Sequence, residues 1–254
     1  MMIKSPEDLN GLMKIGQIVG ETLLHMAEQL QVGMTTADLD QIGAVYLAKR
    51  GAKSAPIHDY RFPAHTCISI NDEAAHGIAS SKRVIQAGDL VNIDVSAVYD
   101  GYYADTGASF PVPPVNPEVE RLCQYTRRAL SDALGVVRDG VPLNAVGRAV
   151  GEVAKEGGYS IIRDLGGHGI GRKLHEPPHS IPHFFRPNLK DKLVMGQVLT
   201  IEPFLCLGTG RIKTEKDGWT LRTVDKTLAA QYEHTIIITE GQPILTTKVN
   251  GTGH

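Results

Sequence analysis

Aspartates are depleted in β-strands, yet two of them, Asp94 and Asp105, fall on what read as the two arms of one hairpin, 90–98 and 102–110. Asp100-Gly101 between the arms is a favoured pair for a type I′ turn. A two-residue turn there sets Tyr99 opposite Tyr102, Ser96 opposite Asp105 and Asp94 opposite Gly107. Asp94 and Asp105 then become diagonal neighbours on one face, roughly 7–8 Å apart at the backbone. Two such carboxylates repel unless a cation or a proton lies between them. Taken alone, the hairpin equally fits a solvent-facing sheet with two ordinary acids. Three more residues change the balance. Glu202 in Thr200-Ile201-Glu202-Pro203 and Glu233 in Gln231-Tyr232-Glu233-His234-Thr235 each stand at the edge of an apolar strand. His168 lies in Gly166-Gly167-His168-Gly169-Ile170-Gly171, a composition that suggests backbone freedom near a ligand rather than packing. The run is neither a HExxH helix, since His168 and His175 are seven apart, nor a G-x-G-x-x-G dinucleotide fingerprint. Four carboxylates and one imidazole make an oxygen-rich site for two hard or borderline divalent ions. The lack of thiolates argues against structural zinc. Ions bridged by carboxylates about 3.5–4 Å apart lower the pKa of water and polarise carbonyls, which is hydrolytic chemistry.

The elements that must hold these residues are legible in turn. Ser5-Pro6-Glu7-Asp8 offers an N-cap, a Pro for the first helical position and acids for the first turn. Apolar residues recur from Leu9 to Leu30 at helical spacing, and Gly33 is expected to end that helix. A second helix should run from Thr35 or Thr36 to about Arg50 and stop at Gly51. Residues 54–65, with two prolines, read as irregular, and 66–70 as a short strand. Helices are expected from Asn116-Pro117 to about Val137 and from about Leu143 to Glu156. Strands follow at 159–162, 198–202, 220–224 and 233–239. A faint repeat runs through this order at a spacing of about 108 residues. Residues 87–94 and 195–202 each give a Gly turn, a strand and a carboxylate. Val32-Gly33 and Asp139-Gly140 each separate two helices. The repeat suggests two related halves, with a carboxylate from each meeting at the centre.

Bulk properties narrow the class. The 254 residues are 42% hydrophobic, enough for one sizeable core, and no linker divides the halves, so 1–254 reads as a single domain. A formal net charge of −2 lacks the basic footprint of a DNA binder. No apolar run suggests a signal peptide or a membrane span. Cys67, Cys123 and Cys206 form no CxxC pair and suggest no disulfide framework. The expectation is a cytoplasmic protein. A monomer is the default, since no heptad is evident.

Asn71-Asp72-Glu73-Ala74-Ala75-His76-Gly77, Val91-Asn92-Ile93-Asp94-Val95, Asp100-Gly101-Tyr102-Tyr103-Ala104-Asp105-Thr106, Gly167-His168-Gly169-Ile170-Gly171-Arg172 and the two glutamate motifs occur in the order seen in methionine aminopeptidases. As a set they resemble that family over nearly the whole chain, in its short bacterial type I form. The resemblance implies the α/β "pita-bread" fold, a pseudo-twofold antiparallel sheet flanked by helices. It implies two divalent ions, drawn from Co²⁺, Mn²⁺, Fe²⁺ or Zn²⁺. Asp94 would chelate one ion, Asp105 and Glu233 would bridge both, and His168 and Glu202 would complete the other. Glu202 would also shuttle the proton of the nucleophilic water. His76 and His175 would hydrogen-bond the substrate amide and the tetrahedral intermediate. Phe62, Cys67 and Trp219 would line the methionine pocket. The implied activity is removal of initiator methionine from nascent polypeptides with a small second residue, with the ribosome as the place of encounter. Met2 is large, so this chain is expected to keep its own Met1, which an intact-mass measurement checks.

Two places depart from the family pattern. Leu174 stands where bacterial members usually have Phe, and Pro56-Ile57-His58-Asp59-Tyr60-Arg61 lacks the usual Cys and Tyr. Tyr60 could replace that Tyr by a shift of the loop, or Asp59 could occupy its place. His183-Phe184-Phe185 could cover the site or pack on the body. Two other readings compete: the same fold and metals with another specificity, such as an X-Pro dipeptidase, and a metal-free pita-bread protein that binds peptides or a ribosome.

Overall fold

The structure, a computed structural model, describes residues 1–249. Helix α1 (Pro6–Gln29) begins where the Ser5 hydroxyl accepts from the Asp8 N–H, and it buries Leu12, Ile15, Ile18, Val19, Leu23 and Met26. It stops earlier than expected: the Leu30 N–H bonds back to the Ala27 carbonyl, and Gly33 (φ 91°) shapes the turn that follows. A capping box of Thr35 and Asp38 opens α2 (Thr36–Lys49). After β1 (Lys53–Ser54), the stretch expected to be irregular holds a one-and-a-half-turn helix, α3 (Ala55–Tyr60). The Ser54 hydroxyl caps it through the Ile57 N–H, Pro56 lies in its first turn, and Arg61 in the left-handed region ends it. Six residues are too few for periodicity to declare a helix.

Strands β2 (Cys67–Ile70) and β3 (Glu73–Ala75) precede the hairpin β4 (Leu90–Tyr99) and β5 (Tyr102–Pro111). Helices α4 (Pro117–Val136) and α5 (Asn144–Gly157) come next. The second half continues with β6 (Ser160–Ile161), β7 (Gly166–Gly169), β8 (Glu176–Pro182), β9 (Val198–Ile201) and β10 (Phe204–Cys206). It closes with β11 (Ile212–Thr214), β12 (Leu221–Thr223), β13 (Ala229–Gln231), β14 (His234–Ile237) and β15 (Ile244–Leu245). The ladders among these strands are antiparallel.

The hairpin register is the expected one: Tyr99 pairs with Tyr102, Ser96 with Asp105 and Asp94 with Gly107. Asp100 and Gly101 both take positive φ (50° and 73°), as a type I′ turn requires. Strand β4 also pairs with β1 and β2. A second sheet runs β15-β14-β9-β7-β8. The two sheets meet where β5 passes the start of β14. There the Glu233 N–H donates to the Gly107 carbonyl (2.8 Å), and the Thr235 hydroxyl accepts from the Asp105 N–H and donates to its carbonyl.

The repeat is real at the level of single hydrogen bonds. The Gly33 N–H donates to Ile85 O and the Gly140 N–H to Leu193 O, both at 2.9 Å. Ile85 and Leu193 return the bond to Met34 and Val141. Gly88 and Gly196 share a left-handed turn (φ 86° and 81°) ahead of β4 and β9. These turns aim Asp94 and Glu202 at the centre from opposite halves. Helix α1 packs on α2, β4 and β5, while α4 packs on α5, β10 and β13. Val91, Ile93 and Val95 on β4, and Val198, Leu199 and Ile201 on β9, are fully buried. Each such side chain contributes about 1.5–3 kcal/mol by leaving water. Among the described residues no helix is long and apolar enough to cross a membrane.

Candidate metal centre

Asp94, Asp105, His168, Glu202 and Glu233 converge where the two halves meet. One ligand-type atom from each of Asp105, His168 and Glu233 lies within 4.8 Å of the others. His168 Nε2 lies 3.6 Å from Glu202 Oε1, and the carboxyls of Asp94 and Asp105 share a hydrogen bond. Burial pushes every one of these acids upward, and repulsion from neighbouring carboxyls adds to it at Asp105, Glu202 and Glu233. Asp94 rises to about 6 through desolvation. Asp105 rises well above the carboxylate range through desolvation and then the charges of Asp94 and Glu202. Glu202 and Glu233 behave in the same way, again with desolvation the main cause. Four packed carboxyls that resist ionising together must either share protons or face bound positive charge.

The polar atoms say what form that charge takes. Asp105 Oδ1 and Glu233 Oε1 are buried and have no hydrogen-bond partner among the described residues. Unpaired buried acceptors are costly in a protein interior and call for an explanation. His168 Nδ1 lies 3.0 Å from the Gly169 carbonyl. A carbonyl only accepts, so Nδ1 carries the proton and the Nε2 lone pair faces the acids. Desolvation holds His168 neutral, with its pKa pulled down to about 3. An imidazole fixed by a carbonyl on one nitrogen and open on the other is a standard metal-ligand arrangement. The donor set therefore fits divalent cations.

Asp94, Asp105 and Glu202 line a cavity of about 440 Å³. Phe62, Cys67 and Trp219 make one apolar wall, with the Phe62 and Trp219 rings edge to face at 5.2 Å. Leu174, nearly buried, lines the same cavity, as do His76 and His175, whose rings are open to it. Glu233 alone of the expected site residues does not line this cavity, although one of its ligand atoms lies within 4.8 Å of those of Asp105 and His168.

Comparison with known proteins agrees with this geometry. The model of metallopeptidase family M24 matches residues 10–240. Methionine aminopeptidase 2 of Bacillus subtilis (strain 168) is 43% identical over 249 residues, 98% of this chain and 100% of that one. The chain belongs to the methionine aminopeptidases of metallopeptidase family M24. Among solved structures, the methionine aminopeptidase of Rickettsia prowazekii superposes with a TM-score of 0.93 at 35% identity, covering 98% of this chain and 100% of that one. That of Thermotoga maritima gives 0.92 at 34% identity, with the same coverage. The pita-bread fold and a metallopeptidase are thus what the chain shares with its family.

Within that family frame, the departures in α3 resolve. Tyr60, not Asp59, reaches the cavity, and its hydroxyl lies 2.7 Å from His175 Nδ1. Asp59 turns behind it, accepting from the Tyr103 hydroxyl and the Leu174 N–H. The His183-Phe184-Phe185 segment packs on the body rather than over the site. His183 is buried and its Nε2 accepts from the Glu202 N–H (3.2 Å), Phe184 lies against Gly147 of α5 and under Arg163, and Phe185 lies under Arg148. The glycine run also needs correcting. Gly167 and Gly169 lie in β7, and a Cβ on either would strike the Thr200 or Pro177 carbonyl. Close backbone packing, rather than freedom near a ligand, accounts for these two glycines.

Sequence reasoning passed over the polar residues that hold the acids. The Thr200 hydroxyl donates to Glu202 Oε1 (2.9 Å) and accepts from the His168 N–H. Gln231 Nε2 donates to Glu233 Oε2 (3.0 Å), and Asn92 in turn donates to Gln231 Oε1. Asn92, Thr200 and Gln231 each precede a site carboxylate by two positions. Strand alternation places such pairs on one face, and that was the available signal.

Proposed function

We propose that this chain removes the N-terminal methionine from polypeptides whose second residue is small, using two divalent ions. The observation that carries this reading is the pair of unpartnered buried oxygens, Asp105 Oδ1 and Glu233 Oε1, beneath a cavity with a Phe, Cys and Trp wall. Asp94 would hold one ion, Asp105 and Glu233 would bridge both, and His168 and Glu202 would complete the other. Mn²⁺, Fe²⁺, Co²⁺ and Zn²⁺ all suit one imidazole and four carboxylates. When bound, such ions lower the pKa of water toward neutrality and polarise the scissile carbonyl.

The chain's own residues supply the rest. The flexible thioether of methionine packs well against the Phe62 and Trp219 rings. Leu174 closes the same pocket. Glu202, steadied by Thr200, takes a proton from the attacking water and returns it to the departing amine. His76 and His175 donate to the oxygen where negative charge develops. The Tyr60 hydroxyl lies 2.7 Å from His175 Nδ1, and with that hydroxyl as the donor the neutral ring carries its proton on Nε2. Tyr60→Phe is therefore expected to lower kcat on Met-Ala-Ser by about 5- to 10-fold with little change in metal content. An unchanged kcat would remove Tyr60 from the mechanism. The natural substrates on this reading are nascent chains in the cytoplasm, met at the ribosome by a monomeric enzyme.

The deciding experiment is hydrolysis of Met-Ala-Ser by chelator-stripped protein, with and without Co²⁺ or Mn²⁺, beside Met-Lys, Leu-Ala and Ala-Pro peptides. Release of methionine from Met-Ala-Ser, dependent on added metal, is the expected result. Cleavage of Ala-Pro instead would move the specificity to X-Pro peptides. No binding of either metal would sink the reading altogether.

A further inference from the structure

A second groove, of about 940 Å³, opens beside the acid-lined cavity. The segment after β6 passes from one to the other: Arg163 lines only the groove, Asp164 lines both, and Leu165 lines only the cavity. The two spaces are therefore neighbours across a single residue. The charge on the groove is one-sided. Arg148 and Lys155 come from α5, Arg163 from the segment after β6 and Arg211 from the residue before β11, against Glu152 and Asp164. That is four cations to two acids, in a chain whose net charge is −2. All four cations are exposed, and among the described residues none of them forms an ion pair. Two are steadied by rings: the Arg148 guanidinium lies 4.8 Å from the centre of the Phe185 ring and that of Arg163 5.1 Å from the centre of Phe184. A guanidinium stacked on a ring still offers its planar N–H edge to a carboxylate. Gly151, between Arg148 and Lys155 on α5, also lines the groove. A glycine inside a helix costs about 1 kcal/mol against alanine, yet a Cβ here would meet nothing within 4 Å. Packing within the protein gives no reason for it, whereas a second chain lying close along α5 would.

We propose that this groove receives the substrate polypeptide beyond its first residues and favours acidic side chains there, so that the enzyme binds most tightly those chains with Asp or Glu a few positions after the methionine. The occupant is a peptide because the groove continues into the cavity where the chain's amino terminus would lie. A nucleic acid fits less well, since Glu152 and Asp164 would repel an unbroken run of phosphates. The dimensions suit an extended chain. Arg148 and Lys155 are seven positions apart, about 10 Å along the helix axis, which an extended peptide covers in about three residues. The proposal rests on the reading of the acid-lined cavity as the place where methionine is cut, and it adds a second determinant of substrate choice to the pocket for the methionine side chain.

The test uses the full chain loaded with Mn²⁺ and three peptides that begin Met-Ala-Ser-Gly and continue with four Glu, four Ser or four Lys residues, beside Met-Ala-Ser itself. At low ionic strength the unaltered enzyme is expected to show a KM for the Glu peptide about 5- to 10-fold below that for the Lys peptide, since each exposed ion pair contributes little and two or three act together. The kcat values should stay equal, because the contacts are the same in the ground and transition states. The difference should shrink toward nothing at about 0.5 M salt. Arg148→Glu with Arg211→Glu reverses an exposed charge on α5 and another across the groove. In that variant the order of the Glu and Lys peptides should reverse, while Met-Ala-Ser, too short to reach the groove, is cut as before. Lys14→Glu with Lys49→Glu makes the same change of net charge at exposed positions elsewhere and should keep the preference. Equal KM values for the three long peptides in the unaltered enzyme would overturn the proposal. So would a preference that survives Arg148→Glu with Arg211→Glu, or one lost equally in the Lys14 and Lys49 control. Competition by polyuridine that depends on Arg148 and Arg211, with no preference among the peptides, would overturn it in favour of nucleic acid. Failure of the unaltered enzyme to release methionine from Met-Ala-Ser would instead overturn the proposed function. Fluorescence anisotropy of the labelled Glu and Lys peptides on the same proteins would then still decide the groove, with tighter binding of the Glu peptide, lost in Arg148→Glu with Arg211→Glu, supporting it and equal binding overturning it.

Discussion

Asp105→Asn is expected to abolish hydrolysis of Met-Ala-Ser, by about 10³-fold or more, and yet to raise the melting temperature of the metal-stripped chain. The loss follows from the role proposed for Asp105 as a bridge. Several kcal/mol of charge stabilisation come from the ions, and each 1.36 kcal/mol is tenfold in rate. The gain follows from what the acids do to one another without metal. Asp105 is desolvated, faces the charges of Asp94 and Glu202, and has a buried oxygen with no partner among the described residues. An amide in its place removes one repelling charge and offers an N–H₂ to a neighbouring carboxylate. A relief of about 1–2 kcal/mol would raise the melting temperature by about 2–8 °C in a chain of this size. With Mn²⁺ present the order should reverse, since the variant loses the ligand that couples metal binding to stability. Scanning calorimetry of both proteins, with chelator and with Mn²⁺, reads both effects. A variant less stable than its parent in chelator would show that the acids are not in mutual repulsion.

The same cluster sets a pH dependence for the metal-stripped chain. Its carboxyls titrate higher folded than unfolded, where Asp and Glu lie near 4. Their contribution to stability is therefore complete below about pH 4 and is lost as pH rises through the folded values, about 6 for Asp94. The stripped chain should melt lower at pH 7.5 than at pH 5.5. Added Mn²⁺ should shrink that difference or reverse it, because metal binds the ionised forms. Melting curves at the two pH values, with and without metal, check this. A stripped chain more stable at pH 7.5 would contradict it.

The parts legible in the sequence are those built from local rules. The Asp100-Gly101 turn dictates the β4–β5 register, and the register puts Asp94 and Asp105 on one face. Ser5, Thr35 and Asn116 mark helix starts because each side chain meets a backbone N–H two or three residues on. The repeat was visible because Gly88 and Gly196 need the same left-handed turn. What stayed hidden depends on distant chain. Gly167 and Gly169 are explained by the carbonyls of Thr200 and Pro177, and nothing local to the run says so. Helix α3 is too short to show a period. Tyr60 and Asp59 are adjacent in α3, and only the placed helix shows that Tyr60 alone reaches His175.

His76→Gly is the second large effect, and its two readouts should move in opposite directions. His76 sits in the left-handed region at φ 55°, its ring open to the cleft and lining the same cavity as His175. A residue with a Cβ pays about 1–2 kcal/mol to stay there, whereas Gly adopts the same backbone freely. Against that relief stands about 0.4–1 kcal/mol for the extra freedom of Gly in the unfolded chain. The ring is open to the cleft, so little packing is lost with it. The balance is a gain of about 0–1.6 kcal/mol, or up to about 6 °C in melting temperature. Activity should go the other way. The surrounding protein desolvates the ring and pulls its pKa down, so His76 is a neutral hydrogen-bond donor at the pH of the reaction. Loss of such a donor to a developing oxyanion costs about 10²–10³ in kcat, with KM and metal content nearly unchanged because the bond strengthens only in the transition state. Calorimetry and Met-Ala-Ser kinetics on the one variant give both numbers. A fall in stability together with activity would mean that His76 is held in place for packing. A gain in stability bought with a hundredfold loss of turnover would mean that the backbone strain at residue 76 exists to aim its ring at the substrate.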